Sequence, residues 1–212
     1  MIEQAQCRVA SPLLVIVTIM FLSMLSGCGS MKARPTDSAT VLETQSGPAF
    51  LDEELPSGLT SLLSQARTEH QNENSERALQ ILQQAAQEFA EYPQPDVNRA
   101  IVYMQLEDYE QAMQATENAL SKRELYAPAV NLQGVLHRIN GDFEQAKQSY
   151  QNAIASEPNY ANAFLNLGIL ADLYLQDFTL ALSSFEAYLN LVKEDEKVKN
   201  WVVDLKQRIP EE

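Results

Sequence analysis

Very little in this chain could act as a nucleophile or hold a metal ion. Its 212 residues include two cysteines, Cys7 and Cys28, and two histidines, His70 and His137. The histidines are far apart, and neither has a Cys or His beside it at ligand spacing, which argues against a metal site. Seven glycines are scattered, and none builds a phosphate-cradling loop. Acidic runs such as Asp52-Glu53-Glu54 and Glu194-Asp195-Glu196 read as solvated charge, not as a paired acid and base. Cations are scarce too: 15 Lys and Arg stand against 29 Asp and Glu, for a net charge of −14. Phosphate backbones require clustered cations, so nucleic acid is excluded as a partner. The composition points to a protein that is not an enzyme, carries no cofactor or metal, and works through its surface.

Charge is also absent from residues 13–25, LLVIVTIMFLSML, with Arg8 just upstream. A membrane-spanning helix needs about 20 apolar residues, so this run has the length of a signal-peptide core instead. It ends in Leu25-Ser26-Gly27-Cys28. Those four residues resemble the lipobox of bacterial lipoproteins. The resemblance implies cleavage before Cys28, a diacylglycerol on its sulfur and an acyl chain on its new amino group. Gly29 stands where an Asp would resemble an inner-membrane retention signal, which implies the periplasmic face of the outer membrane in a Gram-negative host. An uncleaved anchor and a plain secretory signal are the alternatives.

Loss of residues 1–27 removes Cys7 and leaves Cys28 alone. No internal disulfide is then possible, so the folded part must be held together by its core. Glu3 and Arg8 cancel, and the mature charge stays at −14. Residues 28–57 carry Ser, Thr, Gly and Pro with few apolar side chains, and they read as the lipidated cysteine with a flexible tether.

From Leu59 onward the chain repeats. Ala66, Ala100, Gly134 and Gly168 are each 34 residues apart; so are Ala78, Ala112 and Ala146, and so are Ala85, Ala119 and Ala153. Larger residues stay in register with them: Leu82, Thr116 and Tyr150. The fourth unit continues with Ala181, Phe185 and Tyr188 at a spacing of 35, so one residue is inserted between Gly168 and Ala181. Small residues allow close approach of helix axes and the bulky ones fill the gaps between them. Each unit reads as two amphipathic helices, for example 127–139 and 143–155, with turn signals at Asn140-Gly141-Asp142 and Glu157-Pro158-Asn159.

The stretch GDFEQAKQSYQNAIASEPNYANAFLNLG (141–168) resembles the tetratricopeptide repeat (TPR), a helix–turn–helix unit of 34 residues. Four units follow: 59–92, 93–126, 127–160 and 161–195. The first departs from the family pattern at Glu69 and Ala90, and the second at Glu124. The expected fold is therefore all-α, a TPR-type solenoid of four repeats. Val198, Trp201, Val202, Leu205 and Ile209 share one face of a segment ended by Pro210, which predicts a C-terminal capping helix within 196–212.

The resemblance implies a concave surface, lined by the first helix of each pair, that binds an extended peptide or a partner helix. By position it contains Val97, Ile101 and Met104; Asn131, Val135, Arg138 and Ile139; and Asn162, Leu165, Asn166, Ile169 and Leu173. The carboxylate-clamp subtype is not expected, because Pro128 and Leu132 occupy its places in the third unit. The expected function is a membrane-tethered scaffold for an envelope protein or peptide segment. Lipoproteins of this build resemble pilotins, which help pilus or secretion secretins assemble, and adaptors of cell-wall hydrolases. A homo-oligomeric structural protein and an accessory subunit of an enzyme are further readings.

Overall fold

A computed structural model describes residues 54–209. Nine α-helices account for most of them, and no strand occurs among the described residues. The helices pair as α1 (Ser57–Gln71) with α2 (Ser75–Glu88), α3 (Gln94–Gln105) with α4 (Tyr109–Lys122), and α5 (Ala127–Asn140) with α6 (Phe143–Ser156). The fourth pair is α7 (Ala161–Leu170) with α8 (Phe178–Leu191), and α9 (Glu196–Arg208) follows. This is the all-α repeat solenoid that the periodicity predicts. Helix α1 takes in Ser57, expected to close the tether, because Pro56 with ψ 138° is extended and stands at the N-cap.

The ladders of small residues explain the packing. Ala78, Ala112, Ala146 and Ala181 are fully buried, and so are Ala85, Ala119 and Ala153. Leu82, Thr116, Tyr150 and Phe185 lie in the same layer, each at most 1 % exposed. Thr116 is the aliphatic polar member of this layer, and its hydroxyl donates to the Ala112 carbonyl at 2.8 Å, which satisfies that donor.

Within each pair the chain reverses through one left-handed residue. Glu73, Glu107, Gly141 and Gln176 have φ of 64°, 59°, 88° and 54°. The residue after each is Asn or Asp at a helix N-cap, and Asp108 and Asp177 accept from the backbone N–H of Gln111 and Leu180. In the first three turns that residue's N–H bonds to a carbonyl five residues back: Asn74 to Glu69, Asp108 to Tyr103, and Asp142 to His137, each at 2.9 Å. In the fourth, Asp177 reaches six residues back to Ala171, at 3.0 Å. The inserted residue is taken up here, as a single π-helical turn over Ala171–Leu175.

Helix α9 closes the array. Val198, Val202 and Leu205 are buried against α8, and Trp201 packs its ring on Phe185 at 5.3 Å between centroids. The expected capping face is therefore realised, with Ile209 half-buried at its end. No described helix is long and apolar enough to cross a membrane.

Candidate functional site

The first helices of the second to fourth pairs carry the residues expected to line a concave trough. Helix α3 supplies Val97, Ile101 and Met104, and α5 supplies Asn131, Val135, Arg138 and Ile139. Helix α7 supplies Asn162, Leu165, Asn166 and Ile169, and its π turn supplies Leu173. The structure corrects the picture of an open apolar trough. Val97, Met104, Asn131, Val135, Arg138, Asn162, Leu165, Asn166 and Ile169 are buried, and Ile101, Ile139 and Leu173 are half-buried. Each first helix is covered by its own partner, by the second helix of the preceding pair, and by its neighbouring first helices: α3 packs on α5, and α5 on α7. The apolar members of this set belong to the core clusters.

Two of the buried amides meet inside the protein. Asn166 Nδ2 donates to Asn131 Oδ1 at 2.9 Å, joining the third unit to the fourth. The Arg138 guanidinium lies 5.8 Å from the centre of the Tyr174 ring, and that ring packs on Phe143 at 4.8 Å. The π turn carries Tyr174 into this position. Tyr160, fully buried beside Asn131 and Asn162, has its hydroxyl pKa pushed well above the usual range, chiefly by burial.

Two ion-pair groups fasten the helices. The buried Asp96 carboxylate meets Lys122 Nζ at 2.6 Å and Arg99 at 3.0 Å, tying the start of α3 to the end of α4. Arg208 at the end of α9 reaches Asp172 in the π turn at 2.8 Å and lies over the Phe178 ring at 4.1 Å. The histidines remain apart: His70 Nδ1 is 3.0 Å from Ser75 Oγ, and His137 Nδ1 is 4.0 Å from an Asp142 oxygen. Burial lowers the His70 pKa. No cluster of metal-ligating side chains occurs among the described residues. Cys28 lies outside them.

An open feature lies where sequence reasoning did not look. A cleft of about 450 Å³ runs between α2 and α3, lined by Glu76, Leu79, Gln80, Gln83, Gln84, Gln87, Arg99 and Tyr103. The four glutamines are exposed and sit on one face of α2 at helical spacing. Their run in the sequence was the available signal, and it reads there as an ordinary solvated face.

A helical-repeat solenoid is the class that this packing defines, and two stretches of it match tetratricopeptide-repeat profiles. Residues 134–171 match the family profile described as TPR repeat, and residues 97–121 match the profile described as tetratricopeptide repeat. No curated protein matches the chain. Solved structures of similar fold include Pseudomonas aeruginosa PilF, 22 % identical, with a TM-score of 0.62 over 71 % of this chain and 69 % of that one. Another is TTC0263, a thermophilic TPR protein of Thermus thermophilus, 17 % identical, with a TM-score of 0.62 over 81 % of this chain and 91 % of that one. MamA of Desulfovibrio magneticus RS-1 is 18 % identical, with a TM-score of 0.56 over 73 % of this chain and 87 % of that one. At these identities the likeness is one of fold.

Proposed function

We propose that this chain is a non-catalytic scaffold of the bacterial envelope, tethered through a lipid on Cys28 and binding a protein partner with its repeat domain. The observation that carries the protein-binding half is the four-pair TPR solenoid, a fold whose general use is to hold protein segments. The tethering half rests on Leu25-Ser26-Gly27-Cys28 at the end of an uncharged apolar run. A tether of about thirty residues between lipid and repeats lets the folded part reach a partner away from the membrane surface.

Growth of an end-to-end filament is disfavoured by the two ends of the array. The outer face of α1 is polar, with Ser61, Ser64, Gln65 and Thr68 exposed, and that of α9 exposes Asp204, Lys206 and Gln207 around a single Val203. Terminal units with polar outer faces close a solenoid instead of extending it. The partner in this reading is another envelope protein, and the likeness to PilF, being one of fold, does not choose which.

Labelling of cells with a palmitate analogue tests the tether. Label on the wild type that is lost in Cys28→Ser supports it, and label that survives the change refutes it. Fractionation then tests the membrane: wild type in the outer membrane, and Gly29→Asp shifted to the inner one.

A further inference from the structure

We infer that the cleft between α2 and α3 is a docking site for an extended, uncharged peptide segment of the partner, held by its main chain. This rests on the scaffold reading and names the surface and the ligand chemistry. The buried concave residues cannot supply that surface without opening the core, whereas Glu76 and the four glutamines of the cleft are exposed above the half-buried Leu79, Arg99 and Tyr103.

The lining selects the ligand. Small-molecule sites are enclosed and mostly apolar. This cleft is open to solvent, with glutamine amides above the apolar surface of Leu79 and Tyr103, so it suits a chain that lies across it. Glutamine amides both donate and accept, and so does a peptide main chain, which presents N–H and C=O in alternation. Gln80 already accepts from Arg77 at 3.0 Å, and Gln84 donates to Glu88 at 2.8 Å. Gln83 and Gln87, one helical turn apart, have no such side-chain bond among the described residues and are the two amides free to pair with a ligand.

Charge argues against an ionic ligand. Glu76 and Arg99 contribute opposite signs to the lining, and Arg99 is already committed to Asp96 at 3.0 Å. A strongly cationic or anionic segment would gain from one and lose to the other. Glu76 to Gln87 spans about 16 Å at 1.5 Å per residue, which an extended strand covers in about five residues. Recognition of this kind is loose in sequence and strict in backbone conformation.

The test is selection of short random peptides displayed on phage against the full chain, followed by calorimetric titration of the enriched peptides in blocked synthetic form. The expected peptides are poor in Lys, Arg, Asp and Glu, and methylation of their alternate backbone nitrogens abolishes binding. Gln83→Ala with Gln87→Ala weakens binding by about tenfold, the loss of two net hydrogen bonds. Gln148→Lys, on the exposed face of α6, leaves it unchanged. Circular dichroism confirms that the variants remain helical. Failure to enrich any peptide, or enriched peptides that bind the double variant as tightly as wild type, overturns the inference. If crosslinking in intact cells then finds a partner on another face, the scaffold reading survives that failure. If it finds no partner on any face, both fall.

Discussion

The ring of Tyr150 occupies the space above Gly134, where a Cβ would stand 2.6 Å from Cε1 and 2.8 Å from Cδ1. The next unit repeats the arrangement with Gly168 under Phe185, at 2.5 Å and 2.6 Å. In the first two units the same positions hold Ala66 with Leu82 and Ala100 with Thr116. Where the larger partner is aromatic, its neighbour gives up the side chain altogether.

Gly134→Ala and Gly168→Ala are therefore expected to destabilise the fold. Alanine gains about 1 kcal/mol of helix propensity over glycine. Forcing a methyl into a filled core costs about 1–3 kcal/mol, and here it meets rigid rings. The net effect is a lower melting temperature. Replacing Tyr150 with Leu in the Gly134→Ala background restores part of the loss, and a double-mutant cycle reads the coupling. Additive effects of the two changes would show that the residues do not oppose each other.

The left-handed turns allow the opposite kind of change. Glu73, Glu107 and Gln176 hold positive φ with a side chain attached. Glycine reaches that conformation without steric cost, against some added freedom in the unfolded chain. Each change to Gly is expected to stabilise by about 0.5–1 kcal/mol, and Gly141→Ala to destabilise by about 1 kcal/mol. Denaturant midpoints at constant slope are the measure.

Burial of the concave positions makes them markers of stability. Ile169 is 6 % exposed within the core of the last pair, so Ile169→Lys strands a charge and should cost several kcal/mol. Ile101, only half-buried, should tolerate Glu with a smaller loss. A melting temperature unchanged in Ile169→Lys would reopen the trough as a binding surface.

Alkaline pH tests the buried hydroxyls. Burial is the main cause that holds the Tyr160 and Tyr188 pKa values above the ordinary tyrosine range, and the Asp195 carboxylate, 3.0 Å from the Tyr188 hydroxyl, adds to the second. Unfolding restores a pKa of about 10. The folded chain then binds these protons more tightly than the unfolded one. Its stability is intact below about pH 10 and falls as pH rises above that towards the folded pKa values. Melting temperatures between about pH 8 and 11.5 should show the fall, and Tyr160→Phe should lessen it. A fall of equal size in that variant would assign it to other groups.

The helical pairs and the capping helix were legible in the sequence because small residues at one period have a single physical use, close helix packing. Ala112 and Ala146 are buried where the ladders put them. The inserted residue was legible as a phase shift, but its form was not. A π turn at Ala171–Leu175 and a loop one residue longer leave the same spacing, and the backbone bond from Asp177 to Ala171 distinguishes them. The trough failed for a different reason. Periodicity shows that Val97, Val135 and Leu165 share an apolar character with other helix faces, but not which neighbour covers them. That depends on how closely successive first helices approach, and here α5 rests on α7 through the Asn131–Asn166 bond. The cleft beside α2 was missed because exposed glutamines look alike whether or not a neighbouring helix makes a groove of them.

Crosslinking in intact cells tests the central claim, that this solenoid holds a protein partner in the envelope. A photo-reactive amino acid is placed singly at exposed sites on each helix of the full chain, and the products are identified by mass spectrometry. The account predicts one recurrent envelope protein, crosslinked from sites around the α2–α3 cleft and lost when Cys28→Ser removes the tether. Products that contain only the chain itself, or none above background from any site, would contradict it.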